Sequence, residues 1–216
     1  MREVINLNTI EDYFGSIKLF IMELQFCIEN IEQLSKAQLA GVNLKPIENF
    51  LSHYVFMSYS HIAINFYKIY KPNEKRSIQK LFNKLKTFDY SDDVKNLLLE
   101  NADEGDAHRL KNKSQLLTAI NSIENKILQN EMILNKIFLR RETFYAHTDP
   151  EKITQSETLS ELKLLRDLTI QIYNEFYGQF FGRHYMFNTH FPLINEILDD
   201  RKFVDEYWKT QEDNLN

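Results

Sequence analysis

The feature that most constrains the fold is a run of apolar residues spaced alternately four and three positions apart. Interrupted once, by the polar Asn130, the run consists of Leu116, Ile120, Ile123, Ile127, Leu134 and Ile137. This spacing places all of these side chains on one face of an α-helix. The sequence therefore predicts one long helix with a buried seam, which other helices must cover.

Similar periodicity predicts helices along most of the remaining chain. The predicted helices are 9–35 with Thr9 as its cap, 46–70 opened by Pro46 and closed by Pro72, a short basic helix ending near Thr87, and a helix through Leu99 capped by Ser91. The segment 102–113 is polar and has no apolar period, so we expect it to form an exposed loop.

A last long helix is predicted from Thr158 to about Gly182, because Thr158 and Glu161 have the spacing of a capping box. Its expected buried face is formed by Leu162, Leu165, Thr169, Ile170, Tyr173, Phe176 and Phe180. We expect the aromatic segment 183–216 to pack on the bundle as a C-terminal extension with a final short helix. The predicted architecture is all-α, an antiparallel helical bundle formed by one domain, 1–216.

The composition agrees with this class. Five glycines and four prolines in 216 residues leave little room for turns. A single cysteine, Cys27, excludes an intramolecular disulfide and is typical of a reducing compartment. No charged leader with an apolar run and no membrane-spanning stretch is evident, so we expect a cytoplasmic protein without membrane contact.

Charge is unevenly distributed in a chain whose formal net charge is −5. Arg76, Lys80 and Lys84 repeat every four positions, which would form one basic stripe on a helix. One interpretation is a track for RNA phosphates, and the other is an ordinary solvated face. The overall acidity argues against a general nucleic-acid binder.

The long predicted helix ends in a short motif, Arg140-Arg141-Glu142-Thr143-Phe144-Tyr145-Ala146-His147-Thr148-Asp149-Pro150. Continuing the apolar spacing reaches Arg141, where packing alone would favour Leu or Ile. A guanidinium on such a seam is costly unless it is paired or faces a polar space, so this position suggests a function. The alternative is that the seam has ended and Arg141 reaches solvent.

This motif resembles the Arg-spacer-His motif of the HEPN superfamily, and of its abortive-infection branch in particular. The resemblance implies metal-independent RNA cleavage in a composite site at a homodimer interface, without a cofactor or metal. Arg141 would bind the phosphate and His147 would act as base or acid, both as catalytic residues. Arg140 stays an alternative clamp, because it shares a helix face with His147 in a regular helix.

Three further motif residues are candidates for supporting roles. Glu142 stands where the family usually has Asn, Asp or His. Tyr145 could bind a phosphate or a base, or could be a core aromatic residue. Asp149 could orient His147, or could merely form the turn before Pro150.

The sequence thus predicts a HEPN-type endoribonuclease of an abortive-infection or toxin–antitoxin system. Its expected partners are RNA, a second copy of the chain and an antitoxin protein. The alternatives are a non-catalytic HEPN-like module that binds a nucleotide, RNA or protein, and an unrelated helical scaffold. No glycine-rich phosphate loop or metal-ligand pattern offers a competing site.

Overall fold

The computed structural model describes residues 3–103, 106, 108–145, 157–187, 196–202, 204 and 206. The described chain is almost entirely helical, which confirms the all-α prediction. Its long helical elements are α1 Leu7–Leu39, α2 Glu48–Tyr70, α3 Ile78–Thr87, α4 Asp92–Asp103, α5 Lys113–Gln129, α6 Glu131–Arg140 and α7 Leu159–Phe181. A 3₁₀ turn, Lys45–Ile47, precedes α2, and residues 196–202 are also helical.

The helices α1 and α2 form an antiparallel hairpin. Side chains late in α1 contact side chains early in α2, as in the hydrogen bond from Asn30 Nδ2 to Tyr54 Oη at 2.7 Å. Towards the start of α1 the partners lie later in α2, since Glu23 Oε2 is 2.9 Å from His61 Nε2. This reversal defines the antiparallel direction.

The helix α7 completes the core by packing along α1. Phe14 of α1 makes edge-to-face contacts with Tyr173 and Tyr177 at centroid distances of 5.6 and 5.1 Å. At the other end of the pair, Lys163 Nζ lies 3.0 Å from Glu32 Oε1. These contacts join α1 and α7 in one aromatic core.

The start of α1 differs from its prediction. The helix begins at Leu7, two residues before Thr9, and Asn6 is its N-cap. Both the amide and the hydroxyl of Thr9 donate to Asn6 Oδ1, at 2.9 and 2.7 Å. Asn6 accepts the bond that an N-cap must accept, and therefore takes the position expected of Thr9.

Two short strands, β1 Val4–Ile5 and β2 Asp89–Tyr90, pair in parallel. In the chain β1 directly precedes α1 and β2 directly precedes α4. The sequence did not indicate either strand. The pairing places the start of α4 beside the start of α1. There the carboxylate of Asp93 accepts from the Leu7 amide at 3.0 Å. Hydrogen bonds from Ser91 and Leu7 hold the pKa of Asp93 below its usual range.

The predicted apolar seam is buried, but the helix that carries it is not continuous. The seam residues are at most 6% exposed, whereas the chain leaves the helical region at Asn130, with φ −110° and ψ 13°. Asn130 Nδ2 donates to the Lys126 carbonyl at 3.0 Å. The prediction of one long helix was therefore wrong: its polar interruption is the junction between α5 and α6.

Part of the predicted exposed loop 102–113 is buried. Leu110 is 4% exposed, and its amide donates to the Gln179 carbonyl of α7 at 2.9 Å. Asn101 is fully buried and donates to the carbonyls of Leu110 and Phe180 at 3.0 and 3.2 Å. The apolar side chain of Leu110 and the buried side-chain amide of Asn101 anchor this connection. Two isolated residues produce no periodic pattern in the sequence.

The described C-terminal residues contact the loop end of the α1–α2 hairpin. Leu198 is 5% exposed in a small apolar cluster with Leu34, Ala37 and Leu51. Nearer to α7, the Phe187 carbonyl accepts from Gln25 Nε2 of α1 at 2.7 Å. Within the described residues, no helix is long and apolar enough to cross a bilayer.

The predicted capping box and helix end of α7 are present. Thr158 and Glu161 exchange the two capping-box hydrogen bonds, and Gly182 ends the helix in the left-handed region with φ 67°. A Cβ on Gly182 would lie 2.0 Å from Nη1 of Arg109, whose guanidinium also donates to Asn101. The left-handed backbone conformation favours glycine here, and the Arg109 guanidinium would have to shift to accept a Cβ.

Two glycine substitutions should change the free energy of unfolding in opposite directions, and together they test the assigned end of α7. Gly182→Ala should lower the free energy of unfolding by about 1–2 kcal/mol, since it forces a Cβ into the left-handed region. Gly15→Ala in α1 meets no atom within 4 Å and should raise it by roughly 0.5–1 kcal/mol. Urea denaturation of both variants beside wild type measures the two effects, and equal effects would contradict the assigned end of α7.

Candidate functional site

The candidate site begins where α6 ends. After Arg140 the chain continues as one wider π-helical turn, Arg141–Tyr145. The Thr143 hydroxyl donates to the Leu139 carbonyl at 2.8 Å inside this segment. Single π-helical turns are frequent at functional sites, because they redirect the side chains that follow.

Not every residue of the predicted site is described. The predictions for His147, Asp149 and the side chain of Tyr145 lie outside the described residues. The first three positions, Arg140, Arg141 and Glu142, are described with their contacts. They show how the two adjacent arginines differ.

Arg140 is held by a buried carboxylate. Its Nε lies 3.5 Å from Oε2 of Glu157, whose side chain is only 2% exposed. The hydroxyl of Tyr59 in α2 lies in the same electrostatic environment: burial raises the pKa of Tyr59, the charge of Glu157 raises it further, and Arg140 opposes both. Glu157 immediately precedes the cap of α7, so this ion pair connects the end of α6 to the start of α7.

Arg141 has a different neighbour. Its guanidinium carbon lies 4.3 Å from the centre of the Tyr67 ring in α2, an arrangement that a cation–π interaction favours. No carboxylate in the described part of the chain forms an ion pair with Arg141. The guanidinium on the predicted seam is thus stabilised by an aromatic face, which leaves its N–H groups able to bind an anion.

A second cation, Lys71, lies beside the same rings. Its Nζ is 4.8 Å from the centre of Phe138 and 5.5 Å from the centre of Tyr67. The two rings contact each other edge to face at 5.5 Å. Glu142 approaches Lys71 with an N–O distance of 3.9 Å, and its side chain is 46% exposed, so this ion pair is weak.

Sequence reasoning missed Tyr67, Lys71 and Phe138. Tyr67 and Lys71 lie on α2 and its C-terminal boundary, far from the motif in sequence. The available signal was the aromatic end of α2, followed by a lysine immediately before Pro72. That signal indicates a helix end but gives no partner in α6.

The predicted basic stripe does not form as one helical face. α3 begins at Ile78, so Arg76 precedes it, and Arg76 instead contacts α1. Its Nη2 lies 3.5 Å from Asp12 Oδ2, and its guanidinium lies over the Tyr13 ring at 5.0 Å. Lys80 and Lys84 remain one turn apart on α3, and Lys84 lies 4.6 Å from the centre of Phe88.

A second concave surface lies between α1 and α2, away from the motif. It is a groove of about 520 Å³ with a mainly apolar lining that includes Phe26, Cys27 and Met57. Burial raises the pKa of the Cys27 thiol to about 11. Neither Arg140 nor Arg141 is among the described residues that line this groove, and His61 at its edge pairs with Glu23. The part of the chain that the structure describes contains no group of three metal-ligating side chains.

Comparisons with models of protein families, with curated proteins and with solved structures give no significant match.

The ion pair of Arg140 predicts different effects for the two arginines. Arg140→Met should lower the free energy of unfolding by about 2–4 kcal/mol, because it removes a cation from a carboxylate that is 2% exposed. Arg141→Met should cost only about 0.5–1 kcal/mol, the value of a partly exposed cation–π contact. Urea denaturation measures both.

A double variant provides the control for that measurement. Adding Glu157→Gln to Arg140→Met should recover part of the lost stability, because a neutral amide is less costly to bury than a carboxylate. If the effects of Arg140→Met and Glu157→Gln on the free energy of unfolding simply add in the double variant, Arg140 and Glu157 do not interact.

Proposed function

We propose that this protein is a metal-independent endoribonuclease of HEPN type that acts as a homodimer in abortive infection or as the toxin of a toxin–antitoxin system. The observation that carries the proposal is that the two adjacent arginines have different partners. Arg140 is engaged with a buried carboxylate, whereas Arg141 lies on an aromatic ring beside a second cation. A pair of cations without a buried carboxylate of their own suits a phosphate.

The arrangement also supports Arg141 as the phosphate clamp. The family spacing to His147 favours Arg141, and the ion pair of Arg140 favours it independently. A guanidinium offers a planar fork of N–H donors that matches two phosphate oxygens. Stacking on Tyr67 restricts the orientation of that fork before RNA binds.

The proposed reaction needs only proton transfers and charge stabilisation. His147 takes the proton of a ribose 2′-hydroxyl, and the resulting oxygen attacks the adjacent phosphorus. Arg141 stabilises the negative charge that develops on the phosphoryl oxygens. A second acid protonates the leaving 5′-oxygen, which gives a cyclic 2′,3′-phosphate and a free 5′-hydroxyl.

One motif histidine in each chain supplies one of the two proton-transfer groups. A twofold dimer that joins two motif ends would place two copies of His147 and Arg141 in one cleft. We therefore propose that the second copy completes the site. An antitoxin protein is the partner proposed to restrain it, and Lys80 and Lys84 of α3 are the proposed further contacts for RNA phosphates.

A cleavage assay with EDTA present tests the proposal. Purified wild type should cut single-stranded RNA and leave cyclic-phosphate ends, while Arg141→Ala and His147→Ala should each lose at least about 100-fold in rate. Lys95→Ala is the matched control, because Lys95 is an exposed cation on α4 that pairs only with the exposed Asp92 within the described chain. It should cut like wild type.

Equal activity of wild type, Arg141→Ala and His147→Ala would contradict the proposal. Expression in bacteria gives a second test: wild type should arrest growth, and His147→Ala should relieve the arrest. Light scattering of wild type should give the mass of two chains. A monomer that cuts RNA at full rate would refute the composite site.

One observation favours a second candidate, a non-catalytic module that binds RNA or a nucleotide. Glu142 places a carboxylate 3.9 Å from Lys71, beside the proposed phosphate site, in a chain of net charge −5. RNA binding that depends on Arg141, without cleavage and without effect of His147→Ala, would select this candidate.

A further inference from the structure

A small cavity is lined in part by Lys71, the residue that also approaches Glu142 of the motif. It has a volume of about 280 Å³ and is bounded by the end of α2, by α3 and by the junction of α5 and α6. Ile127, Leu134 and Phe138 give it an apolar floor, and polar groups of Gln79 and Asn135 line it as well. An apolar recess with a few polar groups is typical of a small-ligand site.

The cavity is physically continuous with the surroundings of Arg141. Lys71 and Phe138 both line it, and both contact the ring of Tyr67 on which Arg141 lies. The cationic groups of Lys71 and Arg141 are both within 5.5 Å of the centre of that ring. A phosphate bound by Arg141 would therefore lie near residues that line the cavity.

Two carboxylates line the cavity, and they differ in their partners. Lys86 holds both oxygens of Glu124, at 2.7 and 2.5 Å. Glu131 is exposed at the first residue of α6 and accepts from Asn135 Nδ2 at 3.4 Å. No described lysine or arginine pairs with Glu131. The break at Asn130 makes this residue the start of α6, at the edge of the cavity.

We propose that this cavity binds the base of the nucleotide adjacent to the phosphate held by Arg141, and that Glu131 makes it selective for guanine. The inference rests on the proposed RNA-binding function. Guanine presents N1–H and the 2-amino group side by side, which matches the two oxygens of a carboxylate. Adenine and cytosine place an acceptor nitrogen beside their amino group, and uracil places carbonyls on both sides of its single N–H. These acceptors would repel Glu131.

Lys71 has a distinct role in this subsite. It binds the phosphate that joins the nucleotide in the cavity to its neighbour in the RNA. This contact contributes affinity but no selectivity for the base. Glu142 occupies the exposed side of Lys71 in the free protein and is displaced when the phosphate arrives. Removing the Glu142 charge should therefore strengthen binding of every sequence to the same extent.

Binding of uncleavable RNA tests the subsite separately from catalysis. The probes are fluorescent 2′-O-methyl uridine hexamers with one central guanosine, adenosine, cytidine or uridine, because a methylated 2′-oxygen cannot attack the phosphate. By anisotropy, wild type should bind the guanosine hexamer about tenfold more tightly than the others. Glu131→Gln should abolish this preference, and Lys71→Met should weaken all four complexes by a similar factor.

Two further variants keep the test decisive. Leu128→Trp places a large ring at the edge of the cavity from a position that is 63% exposed, so the fold should tolerate it while the guanosine preference is lost. Glu100→Gln removes an exposed carboxylate from α4 and should leave the preference unchanged.

The outcomes separate this inference from the proposed function. A guanosine preference that depends on Glu131 supports the subsite even if the protein does not cut RNA. Cleavage by wild type with equal binding of all four hexamers would overturn the subsite and leave the nuclease proposal intact. Absence of binding to every hexamer would also overturn it.

Discussion

The ion pair between Arg140 and the buried Glu157 is the constraint on which the site depends. A carboxylate that is 2% exposed needs compensation for its lost hydration, and Arg140 supplies part of it. This requirement fixes the end of α6 against the residue that precedes α7. It also fixes which of two adjacent arginines points inward, so Arg141 is left to lie on Tyr67.

The aromatic rings under the cations have a comparable role. Tyr67 and Phe138 come from α2 and α6 and meet edge to face, so their position depends on the packing of two helices. A cation on such a face keeps its N–H groups directed outward while its charge is partly compensated. An arginine held in this way loses less conformational freedom when it binds a phosphate than one that is free in solvent.

The sequence was most informative where local chemistry decides the structure. The capping box of Thr158, the glycine end of α7 and the buried seam could be predicted, because each depends on residues within one or two helical turns. The break at Asn130 was visible as a polar residue, but a lone asparagine does not distinguish a tolerated interruption from a helix junction. Only the packing of α5 and α6 against their neighbours decides it.

The site was harder to predict because its contacts are long-range. Arg140 pairs with Glu157, which follows the motif in the sequence, and Arg141 contacts Tyr67 on another helix. Neither partner can be predicted from the spacing of residues in the motif. The prediction of a basic stripe was wrong for Arg76 because Ser77 caps α3 and accepts from the Lys80 amide. Arg76 therefore precedes the helix and contacts Asp12 and Tyr13 of α1.

The closure of the core by α7 has a consequence for synthesis of the protein on the ribosome. α1 is synthesised before α7, the helix that covers its aromatic face. Within α1, Gln25 donates a hydrogen bond to the carbonyl of Phe187, which lies 162 residues later in the chain. Until α7 leaves the exit tunnel, the nascent chain keeps the apolar face of α1 exposed and can engage chaperones. The arginine end of α6, anchored to Glu157 just before α7, is therefore completed only after the residues that lead into α7 have been synthesised.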